Sequence, residues 1–271
     1  MSVSAVLPLY VLIGTAGIVA AILYGLNSSL MRAHWPALER RYAVTGAGVI
    51  LLGWLAAAVA LAGAGVYHVA ADGIPTIQYG IFVPIAIGLV LLWRSELVSR
   101  ILDAVPQPWL VGVQLYRALG IIFLILYATG KLPGLFAWPA GPGDIAVGLA
   151  APVIGLAYAR APRENAGLVR AWNLFGILDL VVAVAMGFVT APSALRLIDV
   201  QPTSELMTVL PMVMIATFLV PLSIVLHGAS LKKLRRDAAQ RYARQPVPEG
   251  EVQPIAGRAR AEAGQGDAAW R

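Results

Sequence analysis

Arg117 and Asp179 are the two charged side chains that stand inside otherwise apolar runs. Arg117 falls eight residues after Trp109 in one run, and Asp179 falls eight residues after Ala171 in another. An ionisable group within an apolar helix is costly, so it faces a partner, a water-filled cavity or a solute path. If both runs cross a bilayer from the same side, a rise of 1.5 Å per residue sets both charges roughly 12 Å from that side. Equal depth permits a direct ion pair. Such a pair either fixes helix register or forms a solute or proton site. In the second case Asp179 is the titrating carboxylate, and Arg117 balances it or holds an anionic group.

Helical spacing adds neighbours to each charge. Gln114, Gly120, Leu124 and Tyr127 share a face with Arg117, a polar, small and aromatic surface suited to an interior or cavity. Gly176, Ala183 and Gly187 share a stripe with Asp179, which should turn it toward protein. Asn173 lies one turn from Gly176. It either reaches a neighbouring helix near the charged pair or marks a helix start at the interface. Asp144 follows Gly141-Pro142-Gly143 and opens an apolar run. There it would cap a helix by accepting free N–H groups, with an outward-facing cation or proton site as the alternative. The candidate substrate- or proton-binding residues are therefore Arg117, Asp179, Gln114, Tyr127, Asn173 and Asp144.

Other chemistry finds little footing. Cysteine is absent, so disulfides, thiolate metal sites and thiol catalysis are excluded. There is no phosphate-cradling Gly-rich loop, HExxH or paired catalytic carboxylates. The three lysines, Lys131, Lys232 and Lys233, fall outside the apolar runs, so no retinal Schiff base is provided for. His34 and His68 fall in loops, and His227 lies near the inner end of the last run. A His34–His227 metal or haem site is the one such arrangement open, and spacing does not support it. No cofactor, catalytic residue or metal is assigned.

The elements that must position these residues follow from composition. The 271 residues are 59% hydrophobic and 13% charged; soluble domains carry about 25% charged residues. Such a chain cannot cover a globular surface with charge, but lipid can solvate it. A spanning helix needs about 20 mostly apolar residues. Seven runs qualify: 7–26, 43–67, 79–93, 109–129, 144–159, 171–190 and 208–230. The expected fold is an all-α polytopic transmembrane bundle of seven spans. Six spans plus a re-entrant segment is the alternative. Pro84, Pro152, Pro211 and Pro221 fall inside expected spans and should kink them. Ala56, Ala60 and Ala64 form a possible second seam of small residues.

The net charge of +6 suits orientation rather than nucleic acid. Seventeen of the 20 Lys and Arg fall in loops 1–2, 3–4 and 5–6 and in the C-terminal tail; Lys131 and Arg196 fall on the other side. The positive-inside rule makes the chain N-out and C-in. Residues 96–105 put Leu97, Val98, Ile101, Leu102 and Val105 on one face, which reads as a short helix on the inner surface. The loop 130–143, GKLPGLFAWPAGPG, is apolar and Pro/Gly-rich, and should fold back as a plug, a lid or a structural cover. Residues 1–236 form the expected bundle. Residues 237–271 read as a disordered cytoplasmic tail, whose basic start touches anionic headgroups. The repeat Asp144-Ile-Ala-Val-Gly-Leu-Ala against Asp179-Leu-Val-Val-Ala-Val-Ala stops after seven residues and is read as coincidence.

The expected setting is a multi-pass protein of the bacterial inner membrane. Membrane lipids and a small-molecule ligand are the possible partners, and nucleic acid is not among them. Three functions fit: a non-catalytic subunit, receptor or scaffold; a small-solute or proton-coupled transporter using Arg117 and Asp179; and an intramembrane enzyme acting on lipid through groups such as His227 and Asn173. An enzyme is the less expected of these.

Overall fold

In the computed structural model, residues 3–68 and 73–243 are described, and among these there is no β-strand. The protein is all-α. Seven helices are long and apolar enough to cross a membrane. They are α1 (Val3–Arg32), α2 (Ala37–Gly63), α3 (Ile77–Arg94), α5 (Gln107–Ala128), α6 (Gly134–Arg160), α7 (Ala166–Thr190) and α8 (Val220–Ala243), which is entered through a π turn, Ile215–Leu219. Between α3 and α5 lies the short α4 (Glu96–Ala104). Large side chains such as Ile13, Val49, Ile87 and Val153 are exposed along these helices. A bilayer solvates such surface, and the chain is a multi-pass membrane protein.

Three connections, after α1, α3 and α6, and the C-terminal end of α8 gather most of the described basic residues at one end of the bundle, called here the basic end. The surface helix α4 lies at this end. Ser95 caps it, its hydroxyl accepting from the Val98 N–H at 3.3 Å. Leu102 and Val105 are buried as expected, whereas Leu97 is exposed and Ser99 is buried. Ser99 is turned inward because it receives a cation. The Lys232 ammonium donates to Ser99 Oγ at 2.7 Å and to the Leu92 carbonyl at 2.5 Å, near the C-terminus of α3. Helix C-termini favour cations. Lys232 and Lys233 are both buried, so these two cations at the end of the last span are docked on α3 and α4. Helix α8 continues to Ala243; the rest of the expected tail, 244–271, lies outside the described residues.

Three further expectations are corrected. The stretch expected as a loop at 130–143 is the first part of α6, which starts at Gly134 and holds Pro139, Pro142 and Pro152 internally. Small residues explain this: Ala137, Ala140, Val147 and Ala151 are almost fully buried against neighbouring helices, and packing of this kind lets a membrane helix tolerate proline. The seam expected at Ala56, Ala60 and Ala64 is not made; all three are exposed, and α2 buries Leu51 and Ala58 instead. Pro211 precedes the last spanning helix rather than kinking it. Pro221 does lie in that helix, where it removes the N–H that would serve the Thr217 carbonyl. The Trp54 indole of α2 donates to that carbonyl at 3.1 Å.

Candidate functional site

Arg117 is held by a change of helix type. Within α5, residues Val113–Gly120 wind as a 3₁₀-helix. Side chains three apart eclipse in this geometry, so Gln114, Arg117 and Gly120 line up, and all three are buried. Gly148 of α6 packs directly on this segment. A Cβ there would come within 2.9 Å of the Arg117 carbonyl carbon. The missing side chain is what lets α5 and α6 approach.

The guanidinium, only 3% exposed, is bonded along every edge. Nε donates to Asp144 Oδ1 of α6 at 2.7 Å, and Nη2 donates to Asp179 Oδ2 of α7. Nη1 donates to the Gly176 carbonyl at 3.1 Å and to His227 Nε2 of α8 at 3.1 Å. The Arg117–Asp179 pair expected from equal depth is present. Asp144 joins it. Ten residues into α6, Asp144 does not cap that helix, whose N-cap position is Pro133.

His227 is the residue that the sequence reading left in a minor role. An arginine N–H can only donate, so His227 Nε2 accepts. The proton then sits on Nδ1, which donates to Asn173 Oδ1 at 2.9 Å. The Asn173 amide is oriented to match: its Nδ2 donates to the Val169 carbonyl and to Ser230 Oγ, both at 2.8 Å. Ser230 Oγ also accepts from Gln107 Nε2 at 2.7 Å. His227, Asn173 and Ser230 are all fully buried. The signal for this face was present in the sequence as Ser223, His227 and Ser230, three polar residues at helical spacing in an apolar run.

The other candidates divide. Gln114 donates through Nε2 to the Ser223 carbonyl at 3.2 Å and borders the site. Ser223 Oγ is in short contact with the Tyr116 hydroxyl. Tyr127 is not part of the site. It is partly exposed, and its ring meets Trp138 edge-on at 6.2 Å. Its phase was wrong because a 3₁₀-helix advances roughly 20° more per residue than an α-helix, which rotates everything after Gly120.

The charge balance is uneven. With both carboxylates ionised, Asp144 and Asp179 bring two negative charges against the one positive charge of Arg117, and His227 brings none in the tautomer above. Two cavities meet this cluster at Asp144. The larger, about 810 Å³ including its open mouth, runs between α3, α6, α7 and α8 and is walled by residues such as Ile81, Phe136, Leu180 and Phe188, with Glu205 near the surface. The smaller, about 490 Å³, is bordered by Tyr10, Tyr116, Arg117 and Gly120. Asp144 lines both, and its side chain is 15% exposed against 6% for Asp179. Toward the basic end the cluster is closed by Val111, Val147, Val169 and Trp172, packed together with Leu234. Among the described residues no three His, Asp or Glu side chains converge as a metal site.

Residues 74–235 match the family described as a domain of unknown function (DUF8737). That is more than half of the chain, and the chain belongs to this family. The matched stretch contains Arg117, Asp144, Asn173, Asp179 and His227 and leaves out α1 and α2. No curated protein and no solved structure matches the chain.

Proposed function

Taking membership of that family as the premise, we propose that this protein is a proton- or small-solute-handling membrane protein in which Asp144 carries the exchangeable charge. The observation that supports this reading is the position of Asp144: one oxygen is tied to a buried arginine, while the residue lines two cavities. Arg117 is the fixed counter-charge and Asp179 the second carboxylate. With both carboxylates ionised the cluster carries one uncompensated negative charge in a low-dielectric interior, a costly state. A proton or a small cation arriving through the cavities relieves it. The larger cavity approaches from the end opposite the basic end, where Pro75, Ser193 and Glu205 line it, and apolar packing closes the basic side. This one-sided access suits a carrier or sensor rather than an open channel. The setting proposed is the bacterial inner membrane, with the N-terminus outside and the basic end in the cytoplasm.

Infrared difference spectroscopy of the protein in lipid tests the reading. A pH step should change a carboxylic-acid C=O band, and Asp144→Asn should remove or shift that band. The groups facing Asp144 are Arg117 on α5, Asp179 on α7, His227 on α8, and the Tyr10 and Tyr116 hydroxyls, so Asp179→Asn is the matched comparison. Absence of any pH-dependent carboxylic-acid band that Asp144→Asn removes or shifts would overturn the proposal.

A second reading, a non-catalytic subunit in which the cluster only holds helices together, is favoured by the full bonding of Arg117. In that case no carboxylic-acid band that depends on Asp144 responds to pH, and substitutions at Asp144 alter stability alone.

A further inference from the structure

We propose that the larger cavity is a binding site for a small apolar monocation, an organoammonium with a narrow hydrocarbon body. This rests on the reading of Asp144 as the exchangeable charge and names the solute class for it.

Three observations carry the assignment. The first is the lining. The wall is mostly apolar and aromatic, and among the described residues its only ionisable groups are Asp144 inside and Glu205 at the surface, both acidic. No Lys, Arg or His among the described residues lines it, so an anionic head would find no cationic partner there. His68 Nδ1 lies 3.9 Å from Glu205 Oε1, and both side chains are largely exposed.

The second is the free valence of Asp144. Its Oδ1 is occupied by Arg117, while Oδ2 has no hydrogen-bond partner among the described residues. Gly120, on the side of the smaller cavity, lets the Asp144 side chain pack against α5, where a Cβ would stand 2.4 Å from Asp144 Cβ and 2.8 Å from Oδ2; the larger cavity meets the same residue from its other side. A carboxylate oxygen can accept further bonds, and an ammonium N–H supplies a charge-assisted one.

The third is charge. With both carboxylates ionised the cluster is short of one positive charge, so a monocation leaves it neutral where a neutral solute does not. The aromatic rings of Phe123, Phe136 and Phe188 on the cavity wall add favourable contact for a cation and its alkyl body.

The test is calorimetric binding to the full chain in lipid nanodiscs, with n-hexylammonium, 1-hexanol and hexanoate as probes of matched length. Empty nanodiscs provide the partition baseline. The expected order is hexylammonium well above hexanol, with hexanoate not binding above baseline. Asp144→Asn should weaken hexylammonium by about ten- to a hundredfold, the range for losing one charge-assisted bond. Ala183→Leu, which narrows the cavity without touching a charge, should block all saturable binding in a folded protein. Equal binding of the three probes overturns the proposal. So does hexylammonium binding that survives both substitutions. If hexylammonium fails to bind while the Asp144-dependent infrared band still titrates, the solute class is wrong and the exchangeable carboxylate stands. If the band is absent as well, both fall.

Discussion

Gly176 of α7 faces the imidazole of His227 so closely that a Cβ would come within 2.5 Å of Cε1 and Nε2, and 3.0 Å from Arg117 Nη1. The same glycine offers its carbonyl to Arg117 Nη1. The cluster is thus built around backbone that carries no side chain. Gly143 plays the same part against the Asp179 carboxylate.

Gly176→Ala should therefore displace His227 or Arg117 and destabilise the protein by about 1–3 kcal/mol, the usual cost of overpacking. Gly167→Ala on the same helix meets nothing within 4 Å and should be neutral or slightly stabilising through helix propensity. Thermal unfolding of both variants in one detergent checks this. Equal melting temperatures would mean that the close packing at Gly176 is not important.

Arg117→Lys should be far from conservative. An ammonium has no planar fork with which to reach two carboxylates, a carbonyl and an imidazole at once. Arg117→Met should cost about 3 kcal/mol or more, because it strands two buried carboxylates. Adding Asp144→Asn and Asp179→Asn to Arg117→Met should recover part of that loss. A triple variant no more stable than Arg117→Met would contradict the charge account of the cluster.

The contact between α4 and α8 should loosen in acid. Arg236 donates through Nε to Asp103 Oδ1 at 2.7 Å and through Nη2 to Oδ2 at 2.5 Å. These bonds, with the nearby charges of Arg236, Lys233 and Lys232, hold the Asp103 carboxyl below its ordinary value. A depressed folded pKa gives stabilisation that is complete above the unfolded value of about 3.9 and lost as pH falls through the folded one. The chain has no cysteine, so a spin label on Leu97→Cys reports on α4 alone. Label mobility should stay low at neutral pH and rise below about pH 4. Asp103→Asn should show raised mobility already at neutral pH.

Orientation can be read by the same single-cysteine strategy. Leu38→Cys and Glu164→Cys lie at the basic end, and Thr129→Cys and Leu197→Cys at the opposite end; all four positions are exposed. In intact cells an impermeant thiol reagent should label the second pair and spare the first. The reverse pattern would invert the proposed topology.

The sequence by itself determined the seven apolar helices and the pairing of Arg117 with Asp179. Both follow from one requirement: lipid cannot hydrogen-bond a backbone or hydrate a charge, so apolar length and the depth of a lone charge are readable along the chain. The tertiary structure decided the rest of the site. Gly141, Pro142 and Gly143 read locally as a turn, and only packing against α5 and α7 keeps that stretch helical and carries Asp144 to Arg117. His227 acquires its role from Asn173 and Arg117, distant in sequence and on other helices. The 3₁₀ winding of Val113–Gly120, which turns Tyr127 away from the cluster, is set where α5 meets Gly148 and leaves no mark in an α-helical periodicity.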